Sequence, residues 1–117
     1  MAKRRKRGRT PQATDRAALF AALGDENRLW LVAKLSERGP LSIAALTEGS
    51  AVTRQGITKH LRVMEEAGVV GNVRLGRELL WQVHPRRLHE AQRYLEQISG
   101  QWDAALARLK AFVEENE

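Results

Sequence analysis

Apolar positions recur along this chain with a helical period, then an alternating one, then a heptad-like one, and each period predicts an element. Residues 14–23 read as an Ala-rich helix with Leu19, Phe20 and Leu23 on one connected face. Asp25 is suited to cap a second helix, in which Arg28, Leu31, Val32 and Leu35 repeat at helical spacing until Gly39-Pro40 stops it. Ser42 then caps a short third helix reaching Glu48, with Ile43 and Leu46 turned inward, and residues 49–52 form a turn. A fourth helix covers residues 53–67: Thr53 is its N-cap, and Ile57, Leu61 and Met64 form its narrow apolar stripe. Gly68 follows at the position where helices close in a left-handed conformation.

Beyond Gly68 the period changes to two. Val69, Val73, Leu75, Leu79, Trp81 and Val83 all carry odd numbers, which predicts a hairpin over 69–83 with one apolar face, Asn72, Arg74, Glu78 and Gln82 on the other, and a turn at Gly76. The last third changes period again. Leu88, Ala91, Leu95, Ile98, Trp102, Ala105, Leu109 and Phe112 follow each other by alternating steps of three and four, a heptad-like seam that calls for a partner helix. The ten residues of the first helix are too few to cover it. A homodimer is therefore expected, held by Leu19, Phe20, Leu95, Ile98, Trp102, Leu106 and Leu109. Ser99-Gly100 marks a place where the last helix would kink or split.

The polar side of the fourth helix carries the chemistry. Opposite the stripe, Arg54, Gln55, Thr58, Lys59 and Arg62 fan outward. Arg and Gln make bidentate contacts with guanine and adenine edges in a major groove, whereas Lys and Arg also neutralise phosphates. Arg54, Gln55 and Thr58 are thus expected to face bases, and Thr53, Lys59, His60 and Arg62 to meet phosphates. His60 lies about 60° from the buried stripe, at its border, which suits packing or phosphate contact better than base readout. Alone, such a fan describes any solvated amphipathic face. The hairpin that follows turns the reading, because Arg74 and Arg77 at its tip make it a wing that reaches an adjacent minor groove or the backbone. The fold class expected is mainly α with a β-hairpin wing: a winged helix-turn-helix with N- and C-terminal dimerisation helices.

Charge sharpens the picture. The 117 residues carry a net +6, and Lys3, Arg4, Arg5, Lys6, Arg7 and Arg9 account for all of it, so residues 10–117 sum to zero. Within that neutral body Arg54, Lys59, Arg62, Arg74 and Arg77 outnumber Glu65 and Glu66. Such a distribution favours phosphate contact at one surface. Residues 1–12 are expected to form a disordered basic arm, serving either solubility or DNA affinity, and residues 13–117 a single domain.

The chain has no Cys, which excludes disulfides and thiolate metal sites. It has no apolar run of membrane-spanning length and no apolar secretory segment, so a cytoplasmic protein without membrane contact is expected. With no Cys nucleophile, no Gly-rich phosphate loop and no His pair at ligand spacing, neither an enzyme nor a cofactor is expected.

Taken together, Asp25-Glu26-Asn27-Arg28, the block from Thr53 to Val70, the Gly76-Arg77-Glu78 turn and the Trp102-bearing last helix resemble the ArsR/SmtB family of repressors. The resemblance implies a homodimeric winged-helix transcriptional repressor on double-stranded, inverted-repeat DNA, with the first and last helices forming the dimer interface and the fourth entering the major groove. Ser50 and Ala51 stand where the family commonly has an apolar residue and Gly, and Gly56 replaces a usual Ala. Gly56 suggests close approach of a backbone or a helix completed by DNA.

Many relatives sense metals, but the residues for this are missing here. Ser42 and Ala44 hold the positions of a thiolate site, and His84 and His89 have only Leu95 and Gly100 eleven residues beyond them. His84 is expected to end the hairpin and His89 to lie on the solvated side of the last helix. A metal-independent regulator with an unidentified inducer is the reading. Its alternative is a winged-helix adaptor that uses the same face for RNA or a protein.

Overall fold

The computed structural model describes residues 11–116, with side chains from Asp15 onward. The chain order is α1 (Pro11–Leu23), α2 (Glu26–Arg38), α3 (Ile43–Thr47), α4 (Arg54–Glu66), β1 (Val70–Leu75), β2 (Glu78–Val83) and α5 (Pro85–Glu115). The expected basic arm lies outside the described residues except for Pro11 and Gln12, which open α1.

Caps fix the helix starts as their spacing predicts. The Asp25 carboxylate accepts from the Arg28 N–H at 3.0 Å, Ser42 Oγ from Ala45 N–H at 3.2 Å, and Thr53 Oγ1 from Gly56 N–H at 3.1 Å. At the end of α4, Gly68 takes a φ of +76°, its N–H donates to Glu65 O, and Val69 N–H donates to Met64 O. These paired bonds form a Schellman closure, which requires the positive φ that Gly supplies.

Every element contributes to one core. Leu19 and Ala22 from α1, Leu31 and Leu35 from α2, and Leu46 from α3 meet Ile57, Leu61 and Met64 from α4, with Val69, Val70, Trp81 and Ala91 closing the far side. Burying each aliphatic side chain stabilises the fold by roughly 1.5–3 kcal/mol. The indole Nε1 of Trp81 has no hydrogen-bond partner among the described residues.

The hairpin departs from the odd-numbered pattern. Its register pairs Asn72 with Trp81, Val73 with Leu80 and Leu75 with Glu78, leaving a two-residue turn, Gly76-Arg77, with Gly76 at φ +63°. Directly paired residues share a face, so the even positions of β1 side with the odd positions of β2. Asn72 thus shares the face of Trp81 and, though exposed, reaches α4, while Val73 and Leu75 are exposed on the other face. An odd-numbered face on both strands would need an odd-length turn. The sequence pattern also omits Leu41, which exchanges two backbone hydrogen bonds with Trp81, at 2.9 and 2.8 Å, along the free edge of β2.

Helix α5 is continuous through Ser99-Gly100, so it is not split there. Gly in a helix interior costs about 1 kcal/mol, too little to break 31 residues. Near its start Ala91 is buried and Leu88 packs on the core, and Tyr94 meets Phe20 with ring centroids 5.7 Å apart. Beyond Tyr94 the chain no longer covers its own seam: Leu95, Trp102, Leu106, Leu109 and Phe112 are all exposed, Trp102 by 64%.

Candidate nucleic-acid interface

Helix α4 is held by its apolar stripe, with Ile57, Leu61 and Met64 at most 1% exposed. That anchoring leaves Arg54, Gln55, Lys59 and Arg62 on the exposed side. Thr58 is half-buried and its hydroxyl donates to Arg54 O at 2.9 Å. Thr53 stays exposed while its hydroxyl oxygen caps the helix. Arg74 and Arg77 are exposed at the hairpin tip.

Besides Thr53 and Thr58, two more of the expected contact residues, Arg62 and His60, are engaged within the chain. Arg62 donates to Glu65 Oε1 at 3.0 Å, and its guanidinium lies 5.5 Å from the centre of the Trp81 ring. The other Glu65 oxygen accepts from Asn72 Nδ2 at 2.7 Å. Glu65 therefore bridges the exposed face of α4 to the wing, and this follows from the even-numbered face of β1.

His60 turns toward α2. Its Nδ1 lies 3.4 Å from Arg28 Nη1 and 4.0 Å from Asp25 Oδ1. Arg28 in turn donates to the carbonyls of Ala22 at 2.6 Å and Ala21 at 3.3 Å, the negative end of α1. Its place on the helical face of α2 gave no sign of this. The Asp25 carboxyl is held below its ordinary range, chiefly by the hydrogen bond from the Arg28 backbone N–H; desolvation opposes this, and the charges of Arg28 and His60 add to it.

Arg87 is a second residue that pattern reading passes over. It joins α1, the end of α4 and α5 through its guanidinium. Burial works against its charge, but the hydrogen bonds to Asp15 and Glu90 outweigh that and raise its pKa above the usual arginine value. His84 ends the hairpin, its N–H donating to Val69 O at 2.9 Å, and its ring covers Gly71, where a β-carbon would lie 2.5 Å from Nε2. His89 is exposed on α5. Among the described residues no three His, Cys, Asp or Glu side chains gather as a metal site requires.

Of the residues expected at a dimer interface, Leu19 is wholly buried in the core of its own chain and has no surface to offer a partner. Phe20 and Ile98 are half-buried, and Leu95, Trp102, Leu106 and Leu109 are exposed.

A family described as a helix-turn-helix domain matches residues 15–70, which run from α1 into β1. The chain is 42% identical over 66 residues to an uncharacterized HTH-type transcriptional regulator, YuzN, of Bacillus subtilis, an alignment spanning 51% of this chain and 72% of that protein. Its fold matches an ArsR-like transcriptional regulator from Rhodococcus sp. RHA1 with a TM-score of 0.77 and 34% identity, over 88% of this chain and 96% of the other. It also matches, at 18% identity and a TM-score of 0.65 over 86% and 91% of the two chains, the homodimeric winged helix-turn-helix DNA-binding domain of Mb0332 from Mycobacterium bovis, a possible ArsR-family regulator. With its fold, its capped fourth helix and these relatives, the chain belongs to the ArsR family of winged helix-turn-helix transcriptional regulators.

Proposed function

We propose that this regulator is a homodimeric repressor that binds an inverted-repeat operator through α4 and the wing. The observation that carries the reading is the outward side of α4: in a body of zero net charge, Arg54, Gln55 and Lys59 stand exposed on a helix whose opposite side is locked into the core. Arg54, Gln55 and Thr58 read base edges; Thr53, Lys59, His60 and Arg62 meet phosphates, with Arg62 leaving Glu65 and His60 turning away from Arg28 to do so; Arg74 and Arg77 touch the flanking groove or backbone. Repression follows from occupying promoter DNA.

Dimerisation is supported by the α5 surface. Exposed apolar side chains at Leu95, Trp102, Leu106 and Leu109 lie along one side of α5, the kind of contiguous apolar surface that marks a protein–protein contact. The interface comprises Phe20, Leu95, Ile98, Trp102, Leu106 and Leu109. Among the described residues no helix is long and apolar enough to cross a membrane.

The test is a selection from random duplexes followed by competition. A repressor of this kind enriches one inverted repeat and prefers it to random duplex by roughly 10³-fold or more. Equal binding to all duplexes, or binding to RNA alone, would overturn the proposal.

A further inference from the structure

Arg87 has five N–H donors, and all five are used inside the chain. Nε donates to Ala67 O at 2.9 Å; Nη1 donates to Asp15 Oδ2 and Glu90 Oε2, both at 2.6 Å; Nη2 donates to Asp15 O at 2.9 Å and Asp15 Oδ1 at 3.0 Å. The side chain is 11% exposed and has no donor left for DNA. What it joins is specific. Ala67 closes the helix proposed to read DNA, Asp15 belongs to α1, and Arg87 and Glu90 belong to α5.

We infer that Arg87 is a positioning residue for operator recognition, fixing the angle of α4 against the α1–α5 pair that sets the dimer axis. The inference rests on the dimeric, operator-binding reading above. A rigid planar guanidinium bonded to three elements defines their relative orientation in a way that apolar contacts, which slide, do not. It need not stabilise the fold, since the Asp15 and Glu90 side chains stay 62% and 39% exposed, and ion pairs to exposed carboxylates contribute little. Two recognition helices must enter major-groove segments about 34 Å apart, so a small rotation of each α4 spoils a two-site fit while leaving a single site accessible.

The experiment uses the inverted repeat selected by the wild-type protein and a duplex carrying one half of it. Arg87→Met keeps the apolar stem and removes the directional bonds; Asp15→Ala removes only the two carboxylate bonds to α1 and leaves Arg87 on Ala67 O, Asp15 O and Glu90. Expected for Arg87→Met is a loss of about tenfold or more on the full site, with half-site affinity within about twofold, the dimer intact by sedimentation and the salt slope unchanged. Asp15→Ala gives the same split, smaller. Should Arg87→Met not fold, Asp15→Ala decides by itself. Equal losses on full and half sites, a shallower salt slope, or unchanged full-site affinity overturns the inference while the operator reading stands. A wild-type protein that selects no two-half duplex overturns both.

Discussion

Val52 fills the space that a side chain at Gly56 would need: a β-carbon there would lie 2.7 Å from Val52 Cγ1 and 3.3 Å from Thr53 Oγ1. The absence of a side chain at Gly56 therefore has a cause within the chain, and no approach by DNA is required to explain it. Ala ordinarily gains about 1 kcal/mol over Gly in a helix interior, but carbon atoms pack at about 3.5–4.0 Å, and relieving such overlap costs about 1–3 kcal/mol. Gly56→Ala should lower stability in urea melts, and the sign should reverse in a Val52→Ala background. Additive effects in the four-protein cycle would show that Val52 is not the obstacle.

How much of this was legible in the sequence depends on the distance over which each feature is decided. The caps at Asp25, Ser42 and Thr53, the α4 stripe and the Gly68 closure are settled within four or five residues, and the sequence carries them in full. The hairpin faces are set by turn length, which alternation alone does not reveal, so Val73 and Leu75 lie on the side opposite to the one their odd numbers predict. Arg28 with His60, Asp15 with Arg87 and Glu65 with Asn72 bring together residues 32, 72 and 7 positions apart, and nothing in periodicity announces them. Leu19 shows a related limit. Its spacing predicts an apolar helical face, but only the fold distinguishes a face turned to the core from one left for a partner.

On the proposed interface, Arg54 and Gln55 should separate from Lys59 in their effects. Replacing either of the first two by Ala should cost roughly 1–3 kcal/mol on the selected inverted repeat and much less on random duplex. Lys59→Ala should weaken both alike and reduce the slope of log affinity against log salt by about one. Titrations on the two duplexes at several salt concentrations make the comparison. Three identical profiles would mean that α4 does not read sequence.

Asp25 predicts one limb of the acid stability profile. Its folded carboxyl titrates below the ordinary value of 3.8, so its contribution is complete above that pH and is lost as pH falls through the folded value. Asn also caps helices well but does not titrate in this range. In urea midpoints taken from pH 5 down to about pH 2, Asp25→Asn should show a shallower decline than the wild type. Parallel curves would place the acid limb on other carboxylates.

Two tryptophans should fail in different ways when truncated. Trp81 is wholly buried, and Trp81→Ala should cost about 3–5 kcal/mol, a large share of the roughly 5–15 kcal/mol that holds a domain together. Trp102 is 64% exposed within one chain, so Trp102→Ala removes little from that chain's own core. Its effect should fall on association: the dimer weakens, the melting temperature becomes more dependent on protein concentration, and tight binding to the inverted repeat is lost because two linked recognition helices are needed for it. Binding to a single half-site should persist, since α4 and its capping residues are unchanged. Sedimentation of Trp102→Ala beside the wild type gives the decision. A mutant that remains a dimer with wild-type affinity for the full site would place the interface away from the α5 stripe.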